Sequence, residues 1–180
     1  LVSIIPVIHG GSSKKVNFEF SKKIIQVIEI KGQKSIDVKF IDDIRKKYPK
    51  IILQAVSSNY ILNNYHLKKI ISLSIESEKN NILLSNKLET DILMRFALTT
   101  QISDAIKNVG IKPNTNFTII AIGNKKTLNS LYLELKSISS LMFSKNNESF
   151  LKKRFKITAK HTDSIISKNP LADILIEKAA

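Results

Sequence analysis

NKLETDILMRFALTTQISDAIKNVG, residues 86–110, carries two consecutive helix patterns, and the rest of the chain has to pack around them. In the second pattern Ile102, Ala105, Ile106 and Val109 recur as one face of a 3.6-residue repeat. Thr99 or Thr100 is expected to cap that helix, and Gly110 to end it in a left-handed conformation before the IKPN loop. In the first pattern, Leu88 to Leu98, apolar residues (Leu88, Ile92, Met94, Phe96, Leu98) fall on most sides. A helix that is apolar all round belongs inside the molecule.

Working downstream, Phe117–Ile122 (FTIIAI) is a near-continuous apolar run, expected for a strand covered on both faces. Gly123 and Asn124 turn the chain into a helix with Leu128, Leu131, Tyr132, Leu135 and Ile138 on one stripe. Asn169 and Pro170 open a last helix with Leu171, Ile174 and Leu175 inside. Upstream, the β-branched run at 24–30 (IIQVIEI) reads as a strand closed by the KGQK turn. Ser35 is then expected to cap a helix whose face is Ile36, Phe40, Ile41, Ile44 and Tyr48, stopped by Pro49. Residues 51–56 (IILQAV) form a further strand. The next helix is expected to start at Ser57–Asn59, with Ile61, Leu62, Tyr65 and Ile70 inside and a loop over 76–81. Residues 1–15 read as a flexible arm ending in a Gly-Ser-Lys stretch.

Three or four strands alternating with helices predict an α+β (α/β-like) fold: one domain over 1–180, with a mixed sheet flanked by helices. The connections between 24 and 56, and between 51 and 122, are long enough for parallel pairing.

At 180 residues and 43% hydrophobic, with five Gly and four Pro, the chain has enough apolar surface for one well-buried core. It has no cysteine, so thiolate chemistry, disulfides and Cys-based zinc sites are excluded. The apolar stretch LVSIIPVI is far below the ~20 residues needed to span a bilayer and lacks a signal-peptide layout. The expectation is a soluble protein. A formal charge of +14 points to an anionic partner, although abundant Lys, Ile and Asn would also arise from codon bias.

Catalytic patterns are missing from the sequence. His9, His66 and His161 have no metal-ligand spacing, and His161 with Asp163 is only a nominal pair of ligands. Asp42 and Asp43 are adjacent on a helix and diverge. Gly123–Lys126, a glycine and two lysines between a strand and a helix N-terminus, is the one phosphate-cradle candidate. An ordinary strand-to-helix turn explains it equally. No cofactor and no catalytic residue is expected.

The basic stretch 144–162 is more informative. Lys145, Lys152, Lys153, Arg154, Lys156 and Lys160 bracket Phe150 and Phe155, a mixture suited to single-stranded RNA through phosphate contacts and base stacking. The plainer reading puts both phenylalanines in the core and the lysines in solvent. Lys125 and Lys126 are further RNA candidates, and Lys46, Lys47, Lys50, Lys68 and Lys69 would extend a positive face if the fold gathered them. In the last helix, Leu171, Leu175 and Ile176 either pack on their own domain or face a partner.

The order of an apolar helix, a short break, Gln-Ile-Ser-x-Ala-Ile and then Gly-Ile-Lys resembles the small kinase-binding subunit of the KEOPS complex, the PRPK-binding protein family. The matching residues are Glu89, Leu93, Gln101, Ile102, Ser103, Ala105, Ile106, Gly110 and Ile111. The resemblance implies a non-catalytic cytoplasmic subunit that binds the N-lobe of the complex's small atypical kinase. It also implies a place in a complex that makes N6-threonylcarbamoyladenosine on tRNA, further subunits being reached through the kinase, and a part in holding the tRNA 3′ CCA end. Gln101, Ile102 and Ala105 are the partner-surface positions that carry over. Thr100 departs from the pattern, since relatives tend to carry a basic residue there. The alternatives are a generic basic RNA-binding domain and a small nucleotide- or phosphate-binding enzyme using Gly123–Lys126.

Overall fold

The structure is a computed structural model and describes residues 13–180. The elements run β1 (Lys15–Phe20), β2 (Lys23–Ile30), α1 (Val38–Lys47), β3 (Ile52–Ser57), α2 (Asn64–Lys79), α3 (Leu88–Ala97), α4 (Ile102–Val109), β4 (Phe117–Ile122), α5 (Lys125–Leu135), α6 (Glu148–Arg154), α7 (Ala159–Asp163) and α8 (Pro170–Ala179). The α+β class expected from the sequence is the class observed. Most of the expected arm lies outside the described residues, as do His9 and the Gly10–Gly11 pair. Its last residue, Lys15, opens β1.

The four strands form one sheet in the order β1-β2-β4-β3. Every pairing in it is antiparallel, which corrects the expected parallel crossovers and mixed sheet. The apolar runs in β2 and β4 come from coverage on both faces, not from strand direction. Along β2, Ile25 and Val27 enter one core while Ile28 and Ile30 enter the other. Along β4, Ile120 and Ile122 join the first core, and Phe117, Ile119 and Ala121 join the second. The period-2 alternation therefore feeds two apolar layers. One is closed by α1 and α5, the other by α2, α3, α4, α6 and α8.

One strand, β1, is absent from the sequence-based expectation. It pairs with β2 through a two-residue turn, Ser21 and Lys22, both with positive φ (49° and 64°). That is the backbone signature of a type I′ hairpin, made here without the usual Asn or Gly. Helix starts also move downstream. Asp37 caps α1 by accepting from Phe40 N–H, replacing Ser35. Asn63 caps α2, after a single 3-10 turn at Ser58–Tyr60, and α2 continues to Lys79 through the expected loop. In α2, His66 takes the inner position and Tyr65 is exposed.

α3 is buried as its composition requires. Inside it, Asp91 and Arg95 form an ion pair at i,i+4 (Nε to Oδ2, 2.6 Å), with both side chains almost fully buried. Arg95 also donates to Ser77 Oγ of α2 (2.9 Å) and to the Ala179 carbonyl of α8 (2.7 Å), and Asp91 accepts from Leu84 N–H (2.7 Å). With these bonds the charges are satisfied, the condition on which buried charge is tolerated. The helix ends at Leu98, which takes the left-handed conformation (φ 51°), while Gly110 is extended (φ −62°, ψ 168°). The left-handed break thus lies between α3 and α4 and not after α4. It lets α4 turn back along the side of α3.

Candidate partner-binding and RNA-binding surfaces

α4 is short and faces inward only through Ala105 and Val109. Because Ala105 is small, α4 sits close to α3, and the wider part of the apolar stripe has no protein to cover it. Ile102 is 46% exposed and Ile106 58%. The two lie at i and i+4, one above the other on the helix surface. The helical period puts both on one stripe with Ala105 and Val109; that stripe is wider than the strip α3 can cover, and both come out.

Across from α4 stands α1, with Val38 60% exposed. Between the two helices runs the free edge of β3, which pairs on its other side with β4. The result is a groove of about 370 Å³, floored by Gln54 and Ala55 and walled by Val38, Ile41, Ile102, Ile106 and Ile111. Arg45 of α1 reaches into it, donating from Nη2 to the Leu53 carbonyl (3.1 Å) and from Nη1 to Asp42 (3.2 Å). That guanidinium occupies part of the open strand edge and leaves a charged rim with Lys87 and Glu89. An unpaired edge beside isoleucines is a surface that soluble chains cover or blunt.

Six of the residues that matched by pattern line this groove: Glu89, Leu93, Ile102, Ile106, Gly110 and Ile111. Gln101 is exposed at the N-cap of α4 and Thr100 beside it is exposed as well. Ala105 is fully buried, so it acts by setting the α3–α4 spacing. The groove's second wall, Val38 and Arg45, carried no sequence signal toward a site because both read as ordinary positions of an amphipathic helix.

Leu171 and Leu175 are buried in the core layer of α2 and α8, which leaves them no surface to offer a partner. Ile176 is half-buried against that core. Of the three, only Ile176 has side-chain surface outside.

The basic candidates divide into two groups. Lys125 and Lys126 are exposed at the start of α5, just past the end of β4. There Asn124 already caps α5, its Oδ1 accepting from Thr127 N–H (2.8 Å). Lys145, Lys152, Lys153, Arg154, Lys156 and Lys160 surround α6, which packs on the Ser58–Tyr60 turn at the opposite end of β4. The six residues of β4 put about 17 Å between the two groups. The lysines of α1 and α2 are parted by the sheet itself, so they form no continuous face with one another.

Within the α6 group, Lys145 Nζ donates to Asn59 Oδ1 (3.1 Å), Lys152 pairs with Glu148 (2.7 Å), and Arg154 Nε donates to Tyr60 Oη (2.9 Å). Lys153, Lys156 and Lys160 are exposed. Phe155 packs against the core, but Phe150 is exposed, its ring edge-on to Tyr60 at 5.2 Å. The plain reading of the aromatics therefore holds for Phe155 alone.

Among the described residues no group of three His, Asp or Glu side chains is placed to hold a metal ion, and no helix is long and apolar enough to cross a membrane. His161 and Asp163 accordingly form no such cluster. The family model described as kinase binding protein CGI-121 matches residues 19–178. No curated protein matches the chain.

Proposed function

The chain belongs to the CGI-121 family of kinase-binding proteins, and on that premise we propose that it is a non-catalytic cytoplasmic subunit that docks a small atypical kinase of the KEOPS type. The kinase seats on the groove between α1 and α4. The observation that carries this reading is the convergence of six pattern-matched residues on one uncovered apolar groove. Ile102, Ile106 and Val38 provide the desolvating contacts. Lys87, Glu89 and Arg45 provide a rim that fixes register, the usual division of labour in an interface. Gln101 stands at the edge of that surface, and Ile176 belongs to a separate, lesser contact.

In the same reading the subunit supports N6-threonylcarbamoyladenosine formation by helping to hold tRNA, including its 3′ CCA end. The exposed lysines around α6 and the formal charge of +14 support this part. Lysine contacts supply affinity through phosphates, and Phe150 offers a ring face for stacking.

The test is co-elution of the purified chain with a KEOPS kinase, using Ile106→Glu beside the unaltered chain. Loss of the complex with an unchanged melting temperature supports groove docking. Retention of RNA affinity with no kinase complex in the unaltered chain selects instead a generic basic RNA-binding domain. ATP hydrolysis abolished by Lys126→Ala would select the enzyme.

A further inference from the structure

The floor of the groove is the outer edge of β3, and among the described residues no further strand pairs with it. In an antiparallel ladder the N–H and C=O of one residue point the same way, and neighbouring residues alternate. The β3–β4 register runs on to Ser58, whose N–H donates to the Asn116 carbonyl (3.1 Å). Val56 and Gln54 therefore direct their main-chain groups at β4, while Ala55 and Leu53 direct theirs into the groove. Side chains already occupy both outward carbonyls. Arg45 Nη2 donates to that of Leu53 (3.1 Å), and Gln54 Nε2 donates to that of Ala55 (3.1 Å). For the outward N–H groups of Leu53 and Ala55 there is no acceptor among the described residues. The edge is thus blunted on its acceptors and open on its donors, which require water or a partner.

The walls suit a particular shape of partner. Val38 and Ile41 come from α1, which packs on one face of the sheet; Ile102 and Ile106 come from α4, which packs on the other. A strand laid along β3 sends successive side chains to the two faces in turn. One run of consecutive apolar residues then fills both walls, as the runs of β2 and β4 fill the two layers of the core. A helix in the same place would touch the walls with its apolar stripe and leave the two backbone donors unmet. On the rim, Arg45 and Lys87 stand against the single carboxylate of Glu89, a balance that favours an acidic residue beside the apolar run.

We infer that an extended segment of the kinase adds to β3 as a fifth strand. Its carbonyls accept from the N–H groups of Leu53 and Ala55, and its own N–H groups take over the two carbonyls from Arg45 and Gln54. The segment is a short run of consecutive apolar residues with a carboxylate at one end, which meets the released Arg45. This rests on kinase docking at the groove and adds the form that docking takes: main-chain pairing supplies affinity, and the pockets on alternate faces supply selection.

The experiment is residue-resolved amide hydrogen exchange of the full chain, alone and with a small atypical kinase of the KEOPS type. The N–H groups of Leu53 and Ala55 are expected to exchange readily in the free chain and to slow at least about tenfold in the complex. Those of Gln54 and Val56, already bonded to β4, are expected to be slow in both states. Ala55→Pro removes an outward donor and leaves the β4 ladder whole, the kind of edge position where proline is tolerated. It is expected to weaken kinase binding at least about tenfold with an unchanged melting temperature. Should that variant lose its fold, the exchange pattern decides alone. A kinase complex with unchanged exchange at Leu53 and Ala55, or full affinity in a folded Ala55→Pro, overturns the added strand and leaves docking at the groove standing. Slowing at the same two amides in the concentrated chain without kinase assigns the edge to a second copy and overturns it too. Absence of any kinase complex overturns the added strand together with the proposed function.

Discussion

His66 shows what burial does to a single titratable side chain in this fold. Enclosed between α2 and Phe96, it accepts from Leu62 N–H at Nδ1 (3.1 Å), and burial pulls its pKa down to about 3. A histidine whose folded pKa is depressed contributes stability above its unfolded pKa near 6.5, and that stability drains as pH falls toward 3. Thermal melts between pH 7 and 5 should therefore lose about 2 kcal/mol from this group alone. Glu29 has the opposite sign: its folded pKa is raised, so its contribution is present at low pH and is lost as pH rises through that value. In melts from pH 4 to 8, Glu29→Gln should show a smaller fall in stability toward neutral pH than the unaltered chain. An equal fall in both proteins would mean that the carboxyl is solvated. Glu29's burial was not legible in the sequence, whereas His66 reads as a core or boundary histidine from its place near the inner face of its helix. His66 sits one residue from Tyr65, and a shift in the start of α2 decides which of them faces inward.

At the scale of elements, α3 and its ion pair hold together the layer of α2, α3 and α8. Arg95 links α2, α3 and α8 through one guanidinium, so Arg95→Met leaves Asp91 buried with its charge uncompensated. Breaking one partner of such a pair costs roughly 3–5 kcal/mol. The double variant Arg95→Met, Asp91→Leu should recover a large part of that loss in denaturant melts, since no stranded charge remains. Most of the helices and the strands β2, β3 and β4 were legible because their apolar spacing is dense: FTIIAI and IIQVIEI are buried where their composition says they should be. β1 was illegible for two reasons. KVNFEF alternates polar and apolar residues but adjoins the Gly-Ser-Lys stretch that reads as an arm, and Ser21–Lys22 makes a hairpin turn without the residues that usually announce one. Strand direction was illegible too, because a run covered on both faces looks the same in parallel and antiparallel sheets. For α4 the period was legible and the direction was not, Ile102 being expected at a partner surface by the family resemblance alone. A stripe of Ile102, Ala105, Ile106 and Val109 looks like a core face until the neighbour proves too narrow to cover it, and the uncovered half is the candidate site.

For the whole molecule, the sheet separates the candidate surfaces in space. The groove proposed for the kinase lies along the β3 edge, while the exposed lysines of α6 surround one end of the sheet and Lys125 and Lys126 the other. A charge of +14 spread this way should give RNA affinity that falls with salt, with a logarithmic slope of about −0.7 for each single-strand phosphate neutralised. Replacing Lys153, Lys156 and Lys160 by Ala should reduce that slope by two to three phosphates' worth, about one for each lysine removed. The same triple variant should leave kinase binding alone. Calorimetric titration of the chain into a small atypical KEOPS kinase, with Ile106→Glu as the comparison, tests the central claim most directly. Docking through the α1–α4 groove predicts a complex that Ile106→Glu weakens by at least about 30-fold, the size of an interface hot spot, with no change in melting temperature. Equal affinity of the two proteins for the kinase would contradict it.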